Sequence, residues 1–253
     1  MSEIRPVVSV IIPAYNEQAR IAPTLMAYDR KLARSGAPYE IVVVDDGSAD
    51  GTVALVEGMA RERPSIRVIA TKPNRGKGHA VRVGMLAARG HVRVMADADG
   101  SIPANELGGV VNPVLTGRAD IAIGSRYVAG ARVSAKQPLW RRLWSRLVNK
   151  VIRASLVPGV RDTQCGFKAF SAGAAEDIFA RCQIDGWAFD LEALALAARR
   201  GYTVREVGVA WNDDERSRVN PLADFVKVVR EWRIIRRNLK RGAYGQLAGQ
   251  AVR

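Results

Sequence analysis

Five short runs of aliphatic and β-branched residues, separated by segments of helical pattern, constrain the fold of this chain most. The runs are VVSVII, EIVVVDD, IRVIA, HVRVMADAD and DIAIGSR, starting at residues 7, 40, 66, 91 and 120. Each is almost continuously apolar, as a strand buried on both faces is. Helical patterns of about 12 to 20 residues separate most of them. This alternation predicts an α/β fold with a mostly parallel sheet covered by helices on both faces.

The second half of the chain is less regular. Its pattern predicts loops over 161–171 and 212–221, a strand over 203–211, and helices over about 138–156, 171–181, 189–200 and 222–240. We expect one domain over residues 1–240, followed by a frayed tail over 241–253.

The net charge of +14 is unevenly distributed over the 253 residues. Segment 138–153 has five basic residues and no acid, and segment 227–241 has seven basic residues against Glu231 alone. The N-terminus shows no apolar stretch followed by a small-residue cleavage site, so we expect no signal peptide. No charge-free run approaches the ~20 residues of a spanning helix. We therefore expect a cytoplasmic protein without a transmembrane segment.

The cysteines and histidines argue against two kinds of site. Cys165 and Cys182 lack the spacing of metal ligands, and His79 and His91 are far from both in sequence. A structural zinc site is therefore not expected, and a disulfide is unexpected in a cytosolic chain.

Polar residues cluster directly after the predicted strands, as PAYNE at 13–17, DDGS at 45–48, DADGS at 97–101 and GSRY at 124–127. In open α/β sheets ligands bind at the carboxyl edge of the strands. One or both of Asp97 and Asp99 can reach a divalent ion there, because Mg²⁺ takes one or two protein carboxylates and fills its other positions with water and phosphate. The alternative is a solvated turn in which an Asp caps the next helix.

Two further segments are candidates for binding a nucleotide. Asp45 and Asp46 can accept hydrogen bonds from a base or ribose, although Asp-Asp-Gly-Ser is also ordinary turn chemistry. NRGKGHA at 74–80 places glycines on both sides of Lys77, which allows close backbone approach to phosphate, or it is simply a loop. It matches neither G-x-x-x-x-G-K-[ST] nor G-x-G-x-x-G, which disfavours those two nucleotide-binding folds.

VSVIIPAYNE, IVVVDDGSADGT, NRGKGHAVRVGM, DADGS and GSRY follow one another here as they do in a known family. In this order and spacing the chain resembles the inverting family-2 glycosyltransferases with a GT-A fold, over roughly residues 7 to 240. DTQCGFKAF and WAFDLEALALA look most like the dolichyl-phosphate β-glucosyltransferase branch and its bacterial polyprenyl-phosphate relatives. The Q-x-x-R-W motif of processive synthases is absent from the sequence, which argues against a polymerase.

The resemblance implies roles for the donor site. Pro13, Tyr15 and Glu17, with Asp46, would hold the base and ribose of a nucleotide sugar. Asp97 and Asp99 would lie beside the diphosphate, with Asp99 binding Mg²⁺ or Mn²⁺ most directly. Related mannose synthases usually have Gln two positions after the second Asp. Ser101 stands there, which favours the glucosyl branch and leaves the third metal ligand open.

The acceptor side follows from the same resemblance. Arg126, Arg141 and Ser145 would face the phosphate of a polyprenyl phosphate, which two guanidinium groups can grip. Asp162, together with Asp190 or Glu192, would line the sugar and acceptor pocket, with helix capping as the alternative for Asp190.

The helix expected over 138–156 carries Trp140, Trp144 and aliphatic residues at helical spacing, with basic residues on its other positions. Such a helix can lie on a membrane surface, or its apolar stripe can pack against the protein's own core.

The resemblance, taken with these features, implies transfer of glucose from UDP-glucose to a polyprenyl phosphate by a metal-dependent, peripheral enzyme on the inner face of the membrane. A phosphate monoester is largely dianionic at pH 7, so it needs positioning more than a strong base, and we expect one in-line displacement with inversion. Transfer of mannose from GDP-mannose is the alternative.

A basic nucleic-acid-binding protein is the alternative from another class of protein. Trp140 and Trp144 follow a helical stripe, so no nucleic-acid partner is expected. The oligomeric state is left open.

Overall fold

The computed structural model describes residues 5–134, 156–157, 159–212 and 221–245. The strands are β1 Val8–Ala14, β2 Tyr39–Asp45, β3 Ile66–Ala70, β4 Val92–Met95, β5 Ile121–Ser125, β6 Arg132–Ser134, β7 Lys168–Ser171, β8 Val204–Gly208 and β9 Ala210–Asn212. The helices are α1 Ile21–Ala33, α2 Thr52–Glu62, α3 Lys77–Ala87, α4 Leu107–Leu115, α5 Ala172–Phe179, α6 Phe189–Arg199 and α7 Pro221–Arg241, with a short 3₁₀ helix at Ala104–Glu106.

Seven strands form one sheet in the order β3-β2-β1-β4-β7-β5-β8. All neighbouring pairs are parallel except those of β7, which runs antiparallel to β4 and β5. Strands β1, β4 and β5 are buried along their whole lengths, which explains their continuous apolar sequences. The predicted α/β fold with a mostly parallel sheet is confirmed.

Strand β7 corrects the expectation of a loop throughout 161–171. Its sequence, KAFS, is short and contains Lys168, so it lacks the aliphatic run of the other strands. The Lys168 side chain is nevertheless buried, because its Nζ donates to the Cys165 carbonyl oxygen at 2.8 Å and pairs with the Asp190 carboxylate. A paired cation is therefore accommodated in the middle of the sheet.

The strand predicted over 203–211 is divided into β8 and β9. A Cβ on Gly208 would lie 2.4 Å from the Ala129 carbonyl oxygen, so only glycine allows this close backbone approach. Beyond Val209, β9 leaves the main sheet and pairs with β6 in a separate two-stranded sheet.

Some expectations concern residues outside the described ranges. These are the helix over 138–156 apart from Leu156, with Arg141 and Ser145, and most of the polar loop over 212–221. In the ranges that are described, no helix is both long enough and apolar enough to cross a membrane. Cys165 and Cys182 are unpaired and buried, and burial raises the pKa of the Cys165 thiol to about 12.

Candidate active site

Two adjoining cavities lie at the carboxyl edge of the sheet. The larger has a volume of about 410 Å³ and the smaller about 190 Å³. Both are lined by Lys77, Asp97, Asp99 and Trp187. Arg126 lines the smaller cavity only, so the two aspartates and this arginine share one space.

Most residues expected to bind the nucleotide line the larger cavity, namely Pro13, Tyr15, Glu17, Asp46, Lys77 and Asp97. Tyr15 follows β1 and is 46% exposed. The Glu17 carboxylate accepts two hydrogen bonds from Arg20, from Nε and Nη2, each at 2.6 Å. Arg20 also lines this cavity, so the ion pair brings a guanidinium group to its wall.

Asp45 and Asp46 have different surroundings although they are neighbours in sequence. The Asp45 carboxylate accepts hydrogen bonds from the backbone N–H groups of Gly47 and Ser48, at 3.1 and 3.0 Å. It closes the turn after β2 and lies outside both cavities. The Asp46 carboxylate accepts from the N–H groups of Arg75 and Gly76 and contacts His79 Nδ1 at 3.2 Å. Asp46 therefore fastens the loop that precedes α3.

The two glycines around Lys77 make room for protein backbone. A Cβ on Gly76 would lie 2.6 Å from the Asp185 carbonyl oxygen, and one on Gly78 would lie 2.5 Å from that of Ile184. Gly76 also has a φ of 119°, which L side chains rarely adopt. The glycines thus bring α3 against segment 184–186, rather than only clearing space for phosphate.

Lys77 and Asp97 form the central ion pair of the site. Lys77 Nζ donates to Asp97 Oδ1 at 2.5 Å and lies 5.5 Å from the centre of the Trp187 ring. Burial favours the neutral amine, but the attraction of Asp97 and Asp190 is stronger and raises the pKa of Lys77. The site therefore holds a permanent positive charge next to its two aspartates.

Backbone groups fix both aspartate side chains of the site. Asp99 Oδ1 accepts a hydrogen bond from the Ser101 N–H at 2.9 Å. A Cβ on Gly166 would lie 2.0 Å from Asp97 Oδ2, so the Asp97 carboxylate rests directly on the Gly166 backbone. Within the described ranges, no group of three or more His, Cys, Asp or Glu residues could hold a metal. The donor set of two carboxylates still fits a cation that takes its remaining ligands from phosphate and water.

Arg126 is held by Asp162. Arg126 Nε donates to Asp162 Oδ2 at 2.8 Å, Nη2 donates to Oδ1 at 2.9 Å, and the Arg126 backbone N–H also donates to Oδ2. Burial alone would raise the pKa of Asp162, but these hydrogen bonds and the guanidinium charge lower it. The guanidinium group also lies 5.6 Å from the centre of the Trp211 ring. The smaller cavity is therefore bounded by a fixed, always charged group.

The structure corrects the expectation that Asp162, Asp190 and Glu192 line the pocket. None of the three is on the wall of either cavity. Asp162 is fully buried behind Arg126, and Asp190 is taken up by its ion pair with buried Lys168. Glu192 accepts hydrogen bonds from the N–H groups at 183 and 184 and from a tyrosine hydroxyl. Buried carboxylates need such partners, and each of these three is engaged by the protein itself.

The sequence interpretation missed several wall residues, including Trp187, Gln164 and Trp211. Trp187 and Gln164 lie inside the motifs WAFDLEALALA and DTQCGFKAF, so their segments were recognised while these side chains were not assigned a role. An uncharged side chain gives no electrostatic signal in a sequence. Large aromatic residues near carboxylates are the feature that could have identified Trp187.

The fold and this edge of paired carboxylates define a glycosyltransferase of the GT-A class. A solved structure of glucosyl-3-phosphoglycerate synthase from Mycobacterium tuberculosis, in complex with Mn²⁺, UDP and phosphoglyceric acid, superimposes with a TM-score of 0.67. The match covers 98% of this chain and 81% of that one at 19% identity, a level that supports the fold alone. A second structure of that enzyme, with UDP, gives a TM-score of 0.65 at 21% identity, over 91% of this chain and 78% of that one.

The chain belongs to glycosyl transferase family 2, whose model matches residues 9–179. The dolichyl-phosphate beta-glucosyltransferase of Dictyostelium discoideum is 34% identical over 88% of this chain and 72% of its own length. The enzyme of the same name from Saccharomyces cerevisiae is 32% identical over 93% of this chain and 76% of its own length. The family predicted from the sequence motifs is confirmed.

Proposed function

We propose that this chain transfers glucose from UDP-glucose to a polyprenyl phosphate of the dolichyl or undecaprenyl type. One observation carries the proposal: two cavities meet at Lys77, Asp97, Asp99 and Trp187, and a fixed arginine lies on the wall of the second cavity. A donor and an anionic acceptor can thus approach a common point from two sides. The names of the relatives support the choice of glucose and of a dolichyl phosphate.

The larger cavity is suited to a nucleoside diphosphate. Tyr15 offers an aromatic surface for a base, and Asp46 lies on the wall near the end of β2. Lys77 supplies positive charge for the diphosphate, since its pKa is raised and it stays protonated at neutral pH. Arg20 adds a second cation on the same wall. The same wall carries Glu17, Asp46, Asp97 and Asp99, so these two cations would attract a diphosphate together with a divalent cation bound at the aspartates.

Asp97 and Asp99 would hold Mg²⁺ or Mn²⁺, whose chemistry when bound is to stabilise the negative charge on the departing nucleoside diphosphate. In the described part of the chain no third acid joins the two carboxylates, and such a pair fits a cation that shares its coordination with a substrate. Solved structures of similar fold contain Mn²⁺ together with UDP. The protein fixes the two carboxylates: the Gly166 backbone packs against Asp97, and the Ser101 N–H donates a hydrogen bond to Asp99.

Arg126 is suited to orient the acceptor phosphate. Asp162 engages its Nε and Nη2, and in the described part of the chain Nη1 donates to no protein acceptor. A phosphate monoester is largely dianionic at pH 7 because its second pKa is about 6. A strong general base is therefore unnecessary. The fixed guanidinium would direct the phosphate oxygen toward the anomeric carbon for one in-line displacement with inversion.

Helix α7 offers a surface for an anionic membrane. Its buried side chains, Val228, Ile235 and Leu239, follow helical spacing. Its basic residues are all exposed: Lys227, Arg230, Arg233, Arg236, Arg237, Lys240 and Arg241. Anionic lipids of the cytoplasmic leaflet attract such a face by about 1 kcal/mol for each basic residue near the surface. We therefore propose a peripheral enzyme at the inner face of the membrane, where its lipid acceptor is found.

Product analysis tests the proposal. The purified protein is incubated with undecaprenyl or dolichyl phosphate and one radiolabelled sugar donor at a time: UDP-glucose, UDP-galactose, UDP-N-acetylglucosamine or GDP-mannose. We expect a lipid-linked glucose with β configuration from UDP-glucose alone. Asp99→Asn is the inactive control. A lipid-linked mannose from GDP-mannose would replace glucose in the proposal, and no lipid product from any donor would overturn it.

A further inference from the structure

Glu231 differs from the residues around it on α7. It is the one acidic residue between positions 227 and 241, and it is partly buried where the neighbouring basic side chains are exposed. Its carboxylate contacts the backbone of segment 186–188. The positive charges of Lys227 and Arg230 on the same helix also act on it.

Glu231 contacts the residues on both sides of Trp187 in that segment. Glu231 Oε2 accepts a hydrogen bond from the Ala188 N–H at 2.8 Å. A Cβ on Gly186 would lie 1.9 Å from Glu231 Oε1, so this carboxylate oxygen lies directly against Gly186. Trp187 stands between these two positions. Its backbone is therefore held from the α7 side at both neighbours.

The opposite side of the segment is held as well. Asp185 accepts hydrogen bonds from Arg75 Nη2 at 2.7 Å and from Arg82 Nη2 at 2.6 Å. Gly76 and Gly78 allow α3 to approach the same backbone. Trp187 thus lies in a short segment, 185–188, that is held between α3 and α7. Its ring is 39% exposed, lines both cavities and lies next to Lys77.

We propose that Glu231 is a positioning residue that holds Trp187 at the junction of the two cavities, which makes α7 part of the nucleotide-sugar site. Glu231 acts through Trp187 and need not contact the substrate. The part of the proposal that concerns ligand affinity rests on the proposed function. The part that concerns the position of Trp187 is independent of it.

The test uses the full chain and four variants: Glu231→Ala, Glu231→Gln, Gly186→Ala and Trp187→Phe. Indole ¹⁵N–H signals are recorded by NMR without any ligand, and Trp187→Phe assigns the Trp187 signal among the five tryptophans. UDP affinity with Mn²⁺ is then measured by calorimetry, and KM and kcat for UDP-glucose by product formation.

We expect Glu231→Ala to shift or broaden the Trp187 signal and to weaken UDP binding about tenfold, since a hydrogen bond to a charged acceptor is lost. Gly186→Ala should do the same, because the new methyl group displaces the Glu231 carboxylate. Glu231→Gln should retain most of the wild-type signal and affinity, because an amide oxygen can accept from the Ala188 N–H. KM should rise more than kcat falls.

The proposal is overturned if Glu231→Ala leaves the Trp187 signal and the UDP affinity unchanged. It is also overturned if all indole signals change together with a large loss of thermal stability, which would make Glu231 a general structural residue. If the wild type fails to bind UDP, the proposed function fails while the Trp187 signal still tests the position of the ring.

Discussion

Arg126 and Asp162 form a two-point ion pair in which guanidinium Nε and Nη2 donate to the two carboxylate oxygens at 2.8 and 2.9 Å. Arg126 is on the wall of the smaller cavity, whereas Asp162 is fully buried. A residue that no substrate can reach therefore sets the orientation of a residue that a substrate can meet.

Asp162→Asn should raise the KM for polyprenyl phosphate about tenfold or more while the affinity for UDP changes little. The amide cannot accept both guanidinium hydrogen bonds, and breaking a buried ion pair costs about 3 kcal/mol of unfolding free energy. Steady-state kinetics with varied acceptor and UDP calorimetry measure the two effects. Asp177→Asn is the matched control, since Asp177 pairs with Arg181 and Arg200 away from both cavities. An unchanged acceptor KM would remove Arg126 from the acceptor site.

The same pair should make stability depend on pH in one direction. Since folding lowers the pKa of Asp162, the pair stabilises the fold fully above the unfolded pKa near pH 4. That stability is lost as the pH falls through the lowered folded value. Urea unfolding of wild type and Asp162→Asn at pH 7, 5, 4 and 3 should give a constant difference from pH 7 to 5 and a smaller one below pH 4. A difference that grows at low pH would contradict the assigned shift.

The parallel part of the fold could be predicted from the sequence because each buried strand has a continuous aliphatic run, as in VIIPA of β1 and IVVVD of β2. Strand β7 could not, since Lys168 stands where such a run would be expected. Only the tertiary structure shows that Asp190 neutralises it. Prediction from the local sequence pattern fails where a partner distant in sequence allows a charged residue to be buried in a strand.

The candidate site was predictable to a similar extent. Asp97, Asp99 and Arg126 follow strands, so topology alone brings them to one edge of the sheet. In the sequence, Asp162, Asp190 and Glu192 cannot be distinguished from Asp97 and Asp99 by their chemistry. In the structure they are buried, have protein partners and line neither cavity. A sequence does not show which carboxylates already have a partner.

Lys77→Gln should have opposite effects on two ligands. Lys77 Nζ occupies Asp97 Oδ1 at 2.5 Å, so it competes with a divalent cation for that carboxylate. Without nucleotide, the variant should bind Mn²⁺ several-fold more tightly than wild type, as measured by electron paramagnetic resonance titration. With Mn²⁺ present, it should bind UDP about tenfold more weakly, because a cation beside the diphosphate is lost. Lys72→Gln, an exposed change of equal charge, is the control. Weaker Mn²⁺ binding without nucleotide would contradict the competition.

Reversing the charge of two α7 residues, Arg237→Glu with Lys240→Glu, should weaken binding to vesicles of anionic phospholipid at least roughly 30-fold. The factor corresponds to about 1 kcal/mol for each lost basic residue. Vesicle sedimentation at fixed salt measures it. The control of equal charge is Arg34→Glu, just after α1, with Arg61→Glu in α2, both exposed. An oligonucleotide shift assay serves as the second arm. Tight oligonucleotide binding without vesicle binding would favour the nucleic-acid rival.

Gly166→Ala should disable the site with little effect on the fold. The added Cβ would lie 2.0 Å from Asp97 Oδ2, and the flexible carboxylate can move away where backbone could not. Displacing a carboxylate that would hold the metal should lower kcat by about 10²-fold or more and weaken Mn²⁺-dependent UDP binding. Gly173→Ala in α5 is the matched control, because its Cβ meets nothing within 4 Å and alanine favours a helix. Activity and thermal unfolding are measured on both variants. If Gly166→Ala retained wild-type activity, the position of Asp97 against Gly166 would have no part in catalysis.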